Sequence, residues 1–160
     1  MKKVTLVLTL TLVTLVSNAQ LTKLTPRAKE IKVGQAAPMG YVMAELTYNT
    51  HSTLGDTNYT LTFRNAKYTT LDDFKSIEFK ADTETINTLY SLFADAFSSE
   101  DIKNYEQTIS LGDNVLKIKG YKTMGIKGVQ FYSIDRADVI SYINPINKGQ
   151  LDNLFGKNIK

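Results

Sequence analysis

The sequence predicts an α+β fold in which an antiparallel sheet of about six to seven strands carries one long helix and a short C-terminal helix on one face. Three observations predict it. Apolar and polar residues alternate in several segments after Tyr41, as in half-buried strands. One segment instead places apolar residues at spacings of three and four, which indicates a helix. Short polar segments with glycine and aspartate separate the alternating runs, as hairpin turns require.

The strands before the long helix are predicted from three alternating runs. Residues 42–46, 59–63 and 77–79 each place apolar side chains at every second position. In the second run, tyrosine, leucine and phenylalanine alternate with threonines, and these residue types are frequent in strands. The three runs are therefore expected to pair as antiparallel strands.

The long helix is predicted over residues 83–97. Asp82 offers an N-cap side chain, and Glu84 places negative charge in the first turn, where the helix dipole favours it. Five apolar residues then form a single stripe at helical spacing: Ile86, Leu89, Tyr90, Phe93 and Phe97.

Alternation returns after the helix and predicts strands at 105–109, 116–118 and 129–131. Residues 137–143 fit a strand or a short helix, and the strand is favoured. A C-terminal helix is expected after Asn147, its N-cap, with a glycine at the C′ position. The residues that predict this helix are Leu151, Leu154, Phe155 and Gly156.

Residues 54–61 align without gaps to residues 111–118. Each copy contains a Gly-Asp turn followed by an alternating strand. One interpretation is an internal βββα duplication, in which two similar halves build the sheet. The other is that two hairpins independently use good turn residues.

The first nineteen residues match a cleaved secretory signal peptide. Lys2 and Lys3 precede an apolar run over residues 4–16, and small residues stand at 17 and 19, as signal peptidase requires. Cleavage after Ala19 is therefore expected, with export to the periplasm or the extracellular space. The alternative is a membrane anchor, but the uncharged run is shorter than the roughly 20 residues that a spanning helix needs. No cysteine is present for attachment of a lipid.

Removing 19 of the 160 residues leaves 141, a length that suits a single domain. Residues 20–40 contain two of the three prolines and show no regular periodicity, so they are interpreted as a flexible linker or an N-terminal arm. Residues 41–160 are predicted to form one α+β domain. Loss of Lys2 and Lys3 lowers the formal net charge from +3 to +1, which argues against nucleic acid as a partner.

Catalytic and metal-binding motifs are scarce. The absence of cysteine excludes thiol nucleophiles and thiolate metal sites, and no cofactor or metal is predicted. The single histidine, His51, lies in a polar segment and is interpreted as an exposed loop residue, although general bases also occupy loops. Turn and helix-terminal roles explain the small carboxylate groups, whose spacing is not that of a calcium loop. These groups are Asp72-Asp73, Glu100-Asp101 and Asp135 with Asp138.

The glycine-rich segment 120–128 is the best local candidate for a binding site. It contains three glycines, apolar residues and two lysines, which is typical of a mobile binding loop, while the alternative is a plain hairpin connection. With the loop histidine added, the candidate contact residues are Tyr121, Lys122, Met124, Ile126, Lys127 and His51. Tyrosines also offer amphipathic area for a glycan or a protein, although they are simply frequent in strands. Those expected on a sheet face or in loops are Tyr48, Tyr68, Tyr121 and Tyr132.

These observations favour an exported, non-catalytic binding or accessory protein whose partner is a protein or a glycan. The preference rests on the predicted signal peptide, the near-neutral mature charge and the small number of catalytic side chains. The alternative is a small secreted hydrolase or inhibitor-like protein that uses carboxylates or His51 in a cleft. Two carboxylates about 5–9 Å apart in a pocket would favour the hydrolase.

Overall fold

The computed structural model describes residues 29–49, 57–68 and 70–158. The predicted signal peptide, residues 20–28 and His51 lie outside these residues. Within them the chain forms eight strands and two α-helices, with short 3-10 turns at Pro38–Gly40 and Ile102–Asn104. In chain order the elements are β1 (Glu30–Ala36), β2 (Ala44–Asn49), β3 (Thr57–Arg64), β4 (Phe74–Ala81), α1 (Thr83–Ser98), β5 (Glu106–Leu111), β6 (Asn114–Thr123), β7 (Ile126–Ile134), β8 (Ile140–Tyr142) and α2 (Lys148–Leu154).

The strands divide into two antiparallel sheets, β1-β2-β3-β4 and β5-β6-β7-β8. The predicted α+β class with antiparallel strands is confirmed, but the strands number eight and form two sheets instead of one. Consecutive strands pair, so the connections alternate between the two ends of each sheet. The β6–β7 turn therefore lies at the end of the second sheet where the chain leaves β8 for α2.

Strand β1 lies within residues 20–40, the segment that is interpreted from the sequence as a flexible linker or an N-terminal arm. Residues 30–36 pair with β2, so this part of the segment belongs to the first sheet. The pairing register shifts between Lys32 and Gly34, which leaves Val33 as a bulge. The extra residue breaks the alternation of side chains between the two faces, and this is why the sequence shows no period of two there.

Helix α1 confirms the helix predicted over 83–97 and extends to Ser98. The Asp82 side chain accepts a hydrogen bond of 2.7 Å from the backbone N–H of Thr85, which satisfies a donor at the helix N-terminus. The predicted stripe faces the core, and the buried residues of the helix are Ile86, Leu89, Phe93 and Ala96.

The C-terminal elements also agree with their predictions. Residues 140–142 form β8, so the strand favoured for 137–143 is confirmed in the middle of that segment, while Ala137 lies in the preceding turn. Asn147 caps α2: its side chain accepts a hydrogen bond of 2.9 Å from the Gln150 backbone N–H, and the Gln150 side chain accepts one of 2.8 Å from the Asn147 N–H. Gly156 has a φ of +66°, as a glycine that ends a helix does.

Both sheets and both helices contribute to one hydrophobic core. Phe63 of the first sheet meets Phe131 of the second with ring centroids 5.0 Å apart, and Phe93 of α1 lies 5.8 Å from Phe131. Helix α1 follows the first sheet but packs also on β6 and β7, while α2 follows the second sheet but packs chiefly on β1. Because each helix packs on the other half's sheet, neither half buries its apolar face alone.

The two halves of the described chain repeat one arrangement, four antiparallel strands followed by a helix. Each half therefore has one strand more than the predicted βββα unit. The aligned residues Leu61 and Ile118 lie in β3 and β6, and both are buried. These two strands each pair with the strand that precedes them, so residues 57–61 and their counterparts 114–118 have a similar local structure.

Acid is expected to destabilise the fold through carboxylates that accept hydrogen bonds. The bond from the Thr85 backbone N–H lowers the pKa of Asp82, and the side chains of Asn65 and Lys75 lower that of Asp73. A carboxylate whose pKa is lowered on folding stabilises the folded state above its unfolded pKa, and this contribution is lost as the pH falls through the folded value. The melting temperature should therefore decrease as the pH is lowered below about 4.

The variant Asp82→Asn isolates the contribution of Asp82. Asparagine caps a helix as aspartate does but does not titrate. Melting curves by circular dichroism at stepwise lower pH should show a smaller loss of melting temperature in the variant than in the wild type. Identical losses in both proteins would contradict the role given to Asp82.

Candidate functional site

The segment predicted as a mobile binding loop is a β-hairpin. Strands β6 and β7 stay paired as far as Thr123 and Ile126, so only Met124 and Gly125 form the turn. The φ angles of these two residues are +51° and +80°, both positive as in a type I′ turn. The segment is therefore a hairpin connection in its backbone, while its role in binding stays a prediction.

Two glycines inside the hairpin allow close packing at its base. A Cβ atom at Gly120 would lie 1.9 Å from the carbonyl oxygen of Ile102, in the 3-10 turn that precedes β5. A Cβ atom at Gly128 would lie 3.2 Å from the carbonyl oxygen of Ile146. The glycines thus serve packing against neighbouring backbone, which anchors the hairpin on both sides.

Lys127 ties the hairpin to the end of α1. Its ammonium group donates hydrogen bonds to the carbonyl oxygens of Phe97 at 2.9 Å and Ser99 at 3.4 Å. Helix α1 has no basic residue in its own last turn, so Lys127 supplies the positive charge that favours the negative end of the helix dipole. This predicted contact residue therefore has a structural role.

An apolar depression of about 420 Å³ lies beside the hairpin, and we call it the hairpin hollow. Met124 is 97% exposed and Ile126 is 70% exposed at its rim. Of its polar side chains, Asn147 and Gln150 are engaged in the cap of α2. The hollow is lined by Tyr121, Thr123, Met124, Ile126, Lys127, Gly128, Pro145, Ile146, Asn147 and Gln150.

The structure brings together four of the six predicted contact residues: Tyr121, Met124, Ile126 and Lys127. Lys122 is exposed and lies opposite Lys127 in the strand register, outside the lining of the hollow. The far wall, residues 145–150, was not predicted. The bridge between Val129 and Ile146, with two backbone hydrogen bonds of 2.9 Å, places this wall beside β7. Only the N-cap residue Asn147 was a detectable sequence signal there.

The hairpin carries positive charge without acidic residues. Residues 114–134 contain four lysines and no aspartate or glutamate. Lys117 and Lys119 both pair with Glu106, at 2.5 Å and 3.0 Å, and these hydrogen bonds lower the pKa of Glu106. Within the described ranges, no carboxylate lies within ion-pair distance of Lys122. Because side chains alternate between the two faces of a strand, Lys122 lies on the opposite face of the hairpin from Tyr121 and Ile126. Its positive charge is therefore at the hairpin tip beside the hollow, not in the lining.

A second exposed apolar set lies at the loops that join β1 to β2 and β3 to β4. Arg64 lies 4.5 Å from the centre of the Tyr41 ring and pairs with Asp72 at 2.6 Å. The depression beside Tyr41 has a volume of only about 120 Å³, so it offers much less concave surface than the hairpin hollow. The exposed residues of this set are Met39, Tyr41, Tyr68, Leu71 and Phe74.

The candidate tyrosines divide between several environments. Tyr121 and Tyr132 lie on the outer face of the second sheet, where Tyr132 packs 5.4 Å from Tyr142. Tyr68 lies in the β3–β4 connection, and Tyr48 packs 5.7 Å from Tyr59 in the first sheet. They therefore form no single tyrosine face.

The predicted carboxylate groups serve turns and ion pairs. Asp73 accepts a hydrogen bond of 2.8 Å from the Asn65 side chain, and Asp135 accepts bonds from the backbone N–H groups of Ala137 and Val139 at 2.8 Å and 2.9 Å. A different hollow, polar and about 580 Å³ in volume, contains Glu30, Glu78 and Asp113 in its lining. Asp113 also pairs with Arg136.

A polar cluster joins the two helices. The Tyr90 hydroxyl donates a hydrogen bond of 2.7 Å to Asp152, and Lys148 donates one of 2.7 Å to the Tyr90 oxygen while also pairing with Asp152. Partial burial opposes ionisation of Asp152, but the bonds from Lys148 and Tyr90 outweigh it and lower its pKa. The cluster is satisfied internally and fixes α2 against α1.

Among the described residues, no three or more His, Cys, Asp or Glu side chains are grouped so that they could hold a metal ion. No helix in the described ranges is both long and apolar enough to cross a membrane. The hairpin hollow is thus the best-defined candidate site. Comparison of the chain with protein-family models, curated protein sequences and solved structures gives no match.

Proposed function

We propose that the chain is an exported, non-catalytic binding or accessory protein that contacts its partner through the hairpin hollow. The observation that carries this proposal is the exposure of Met124 and Ile126 at the rim of an apolar hollow of about 420 Å³. Large apolar side chains that remain exposed beside a concave surface mark interaction sites. Export rests on the signal features of residues 1–19, and secreted protein that begins at Gln20 would support it.

The lining favours a protein partner over a glycan. Recognition of a glycan needs several polar groups that converge on its hydroxyls. In the hairpin hollow, the side-chain oxygens of Asn147 and Gln150 are engaged in the helix cap, and the Lys127 ammonium group is bound to the end of α1. Although Tyr121 and Thr123 add hydroxyl groups, the lining is mainly apolar, which suits an apolar side chain of a polypeptide.

The charge at the tip of the hairpin, beside the hollow, favours an acidic partner. Lys122 and Lys127 stand directly opposite each other on β6 and β7, and like charges in this position repel. Lys127 is compensated by the carbonyl groups at the end of α1, while Lys122 is exposed. We therefore propose a polypeptide with an apolar anchor side chain flanked by aspartate or glutamate.

Selection from a displayed peptide library against the mature chain tests this proposal. Enriched peptides are expected to combine one large apolar residue with neighbouring acidic residues. The Ile126→Ser variant should weaken binding of such a peptide about tenfold or more, because the contact between two apolar side chains is lost. Fluorescence anisotropy with the labelled peptide measures the Kd.

The matched control is Val139→Ser. Val139 is 48% exposed and lies in the β7–β8 connection, at the other end of the second sheet. Its replacement should leave the Kd unchanged. The proposal fails if no peptide is enriched, if enriched peptides lack acidic residues, or if the two variants weaken binding equally.

A small secreted hydrolase or inhibitor-like protein is the second candidate. It is favoured by the polar hollow of about 580 Å³, which has Glu30, Glu78 and Asp113 in its lining. Hydrolysis of a panel of chromogenic glycosides that disappears in Glu78→Gln would support this candidate. Peptide binding at the hairpin should be unaffected by that substitution, so the two functions can be tested separately.

A further inference from the structure

Two turns of this protein share an unusual pairing of residues. Met39-Gly40 has φ angles of +49° and +81°, and Met124-Gly125 has φ angles of +51° and +80°. Both methionine side chains are fully exposed, whereas Met43 is only 9% exposed. The chain thus places a methionine in a left-handed conformation before a glycine twice, at the β1–β2 connection and at the β6–β7 turn.

Neither the backbone conformation nor packing in the core explains why methionine occupies these positions. A Cβ atom disfavours left-handed backbone, and asparagine, aspartate or glycine is the usual residue at the first position of such a turn. An exposed side chain adds nothing to packing of the core. What distinguishes methionine here is its thioether, which is polarizable and open to oxidation.

The rest of the sequence leaves these thioethers as the most accessible oxidation targets. The chain contains no cysteine and no tryptophan, so no thiol competes for an oxidant. A Cβ atom at Gly40 or Gly125 would have no heavy atom within 4 Å apart from those of the two adjacent residues. Both turns therefore project into solvent, where a small oxidant reaches the sulfur directly.

We propose that Met39 and Met124 are oxidation sites and that oxidation of Met124 weakens binding at the hairpin hollow. The oxidant is a peroxide. The sulfur lone pair attacks the terminal OH oxygen of the peroxide, and an S–O bond forms as the O–O bond breaks. The proton of the attacked oxygen passes to the departing oxygen, which leaves as water or an alcohol. Sulfur loses two electrons and the peroxide gains them. The resulting sulfoxide is polar, so it disfavours apolar contact at the rim of the hollow.

Peptide-mapping mass spectrometry of the mature chain treated with hydrogen peroxide tests the assignment. Met39 and Met124 should gain one oxygen about tenfold faster than Met43, since exposure governs access of the oxidant. Met43 is an internal control in the same molecule. Equal rates at the three positions, or a Met124 that stays reduced, would overturn the assignment.

The effect on binding rests on the proposed function and is tested with the selected acidic peptide. Met124→Gln, which resembles the sulfoxide in polarity, should weaken binding about tenfold, and the Kd of Met124→Leu, whatever its starting value, should not change on treatment with peroxide. Met39→Leu should stay sensitive, because Met39 does not line the hollow. A wild type that binds equally well after Met124 is oxidised would overturn this effect. Failure of the untreated wild type to bind any peptide would instead contradict the proposed function, while the oxidation rates would still decide the assignment of the sites.

Discussion

Replacing Phe131 with alanine should lower the free energy of unfolding by about 3–5 kcal/mol. Phe131 is fully buried, and its ring meets Phe63 at 5.0 Å and Phe93 at 5.8 Å. These three rings belong to the second sheet, the first sheet and α1, so the substitution leaves a cavity where all three elements join. Urea denaturation followed by circular dichroism measures the loss from the shift of the midpoint.

Phe74→Ala is the matched control for Phe131→Ala. Phe74 is 48% exposed at the start of β4, and its removal should change the free energy of unfolding by no more than about 0.5 kcal/mol. Both proteins should unfold in one transition, because the halves share their core. If Phe131→Ala unfolded in two transitions, and only one of them had a lower urea midpoint than the wild type, the two sheets would not share a core.

Elements whose signals are local in sequence could be predicted. The stripe of α1 and the Asp82 cap lie within consecutive turns of chain, so they need no knowledge of partners. Strand β1 could not be found in this way, because the bulge at Val33 removes the alternation on which strand prediction depends. Local sequence patterns also do not determine whether the strands form one sheet or two. Nothing between Ala81 and Glu106 indicates whether the later strands rejoin the first sheet.

Only part of the candidate site could be predicted, because only that part has a signal that is local in sequence. Tyr121, Met124 and Ile126 lie within six residues of chain, and their apolar character beside glycines drew attention to them. The glycines had been interpreted as signs of a loop, yet Gly120 is required by the close approach of Ile102. Sequence does not distinguish a glycine that permits a turn from one that permits close packing. The far wall depends on the pairing of Val129 with Ile146, which is a tertiary contact.

Gly34→Ala should destabilise the protein by about 2–4 kcal/mol. A Cβ atom at Gly34 would lie 1.9 Å from the carbonyl oxygen of Asn153 and 2.8 Å from that of Leu154. Both atoms belong to the backbone of α2, so no change of side-chain rotamer relieves the clash. The helix must move away from β1, which separates Leu154, only 1% exposed, from its packing partners. Urea denaturation of the variant measures the effect.

Gly149→Ala introduces the same methyl group at the other end of the same helix. There the new Cβ atom would meet only the Asn147 side chain, at 3.5 Å, an ordinary contact distance. Because alanine has a higher helix propensity than glycine, this variant should be unchanged or stabilised by up to about 1 kcal/mol. A loss of stability in Gly34→Ala without a loss in Gly149→Ala would show that the close packing of α2 on β1 at Gly34 causes the effect. Equal losses would mean that α2 tolerates no added methyl group at either end, and the close approach at Gly34 would then not explain the effect.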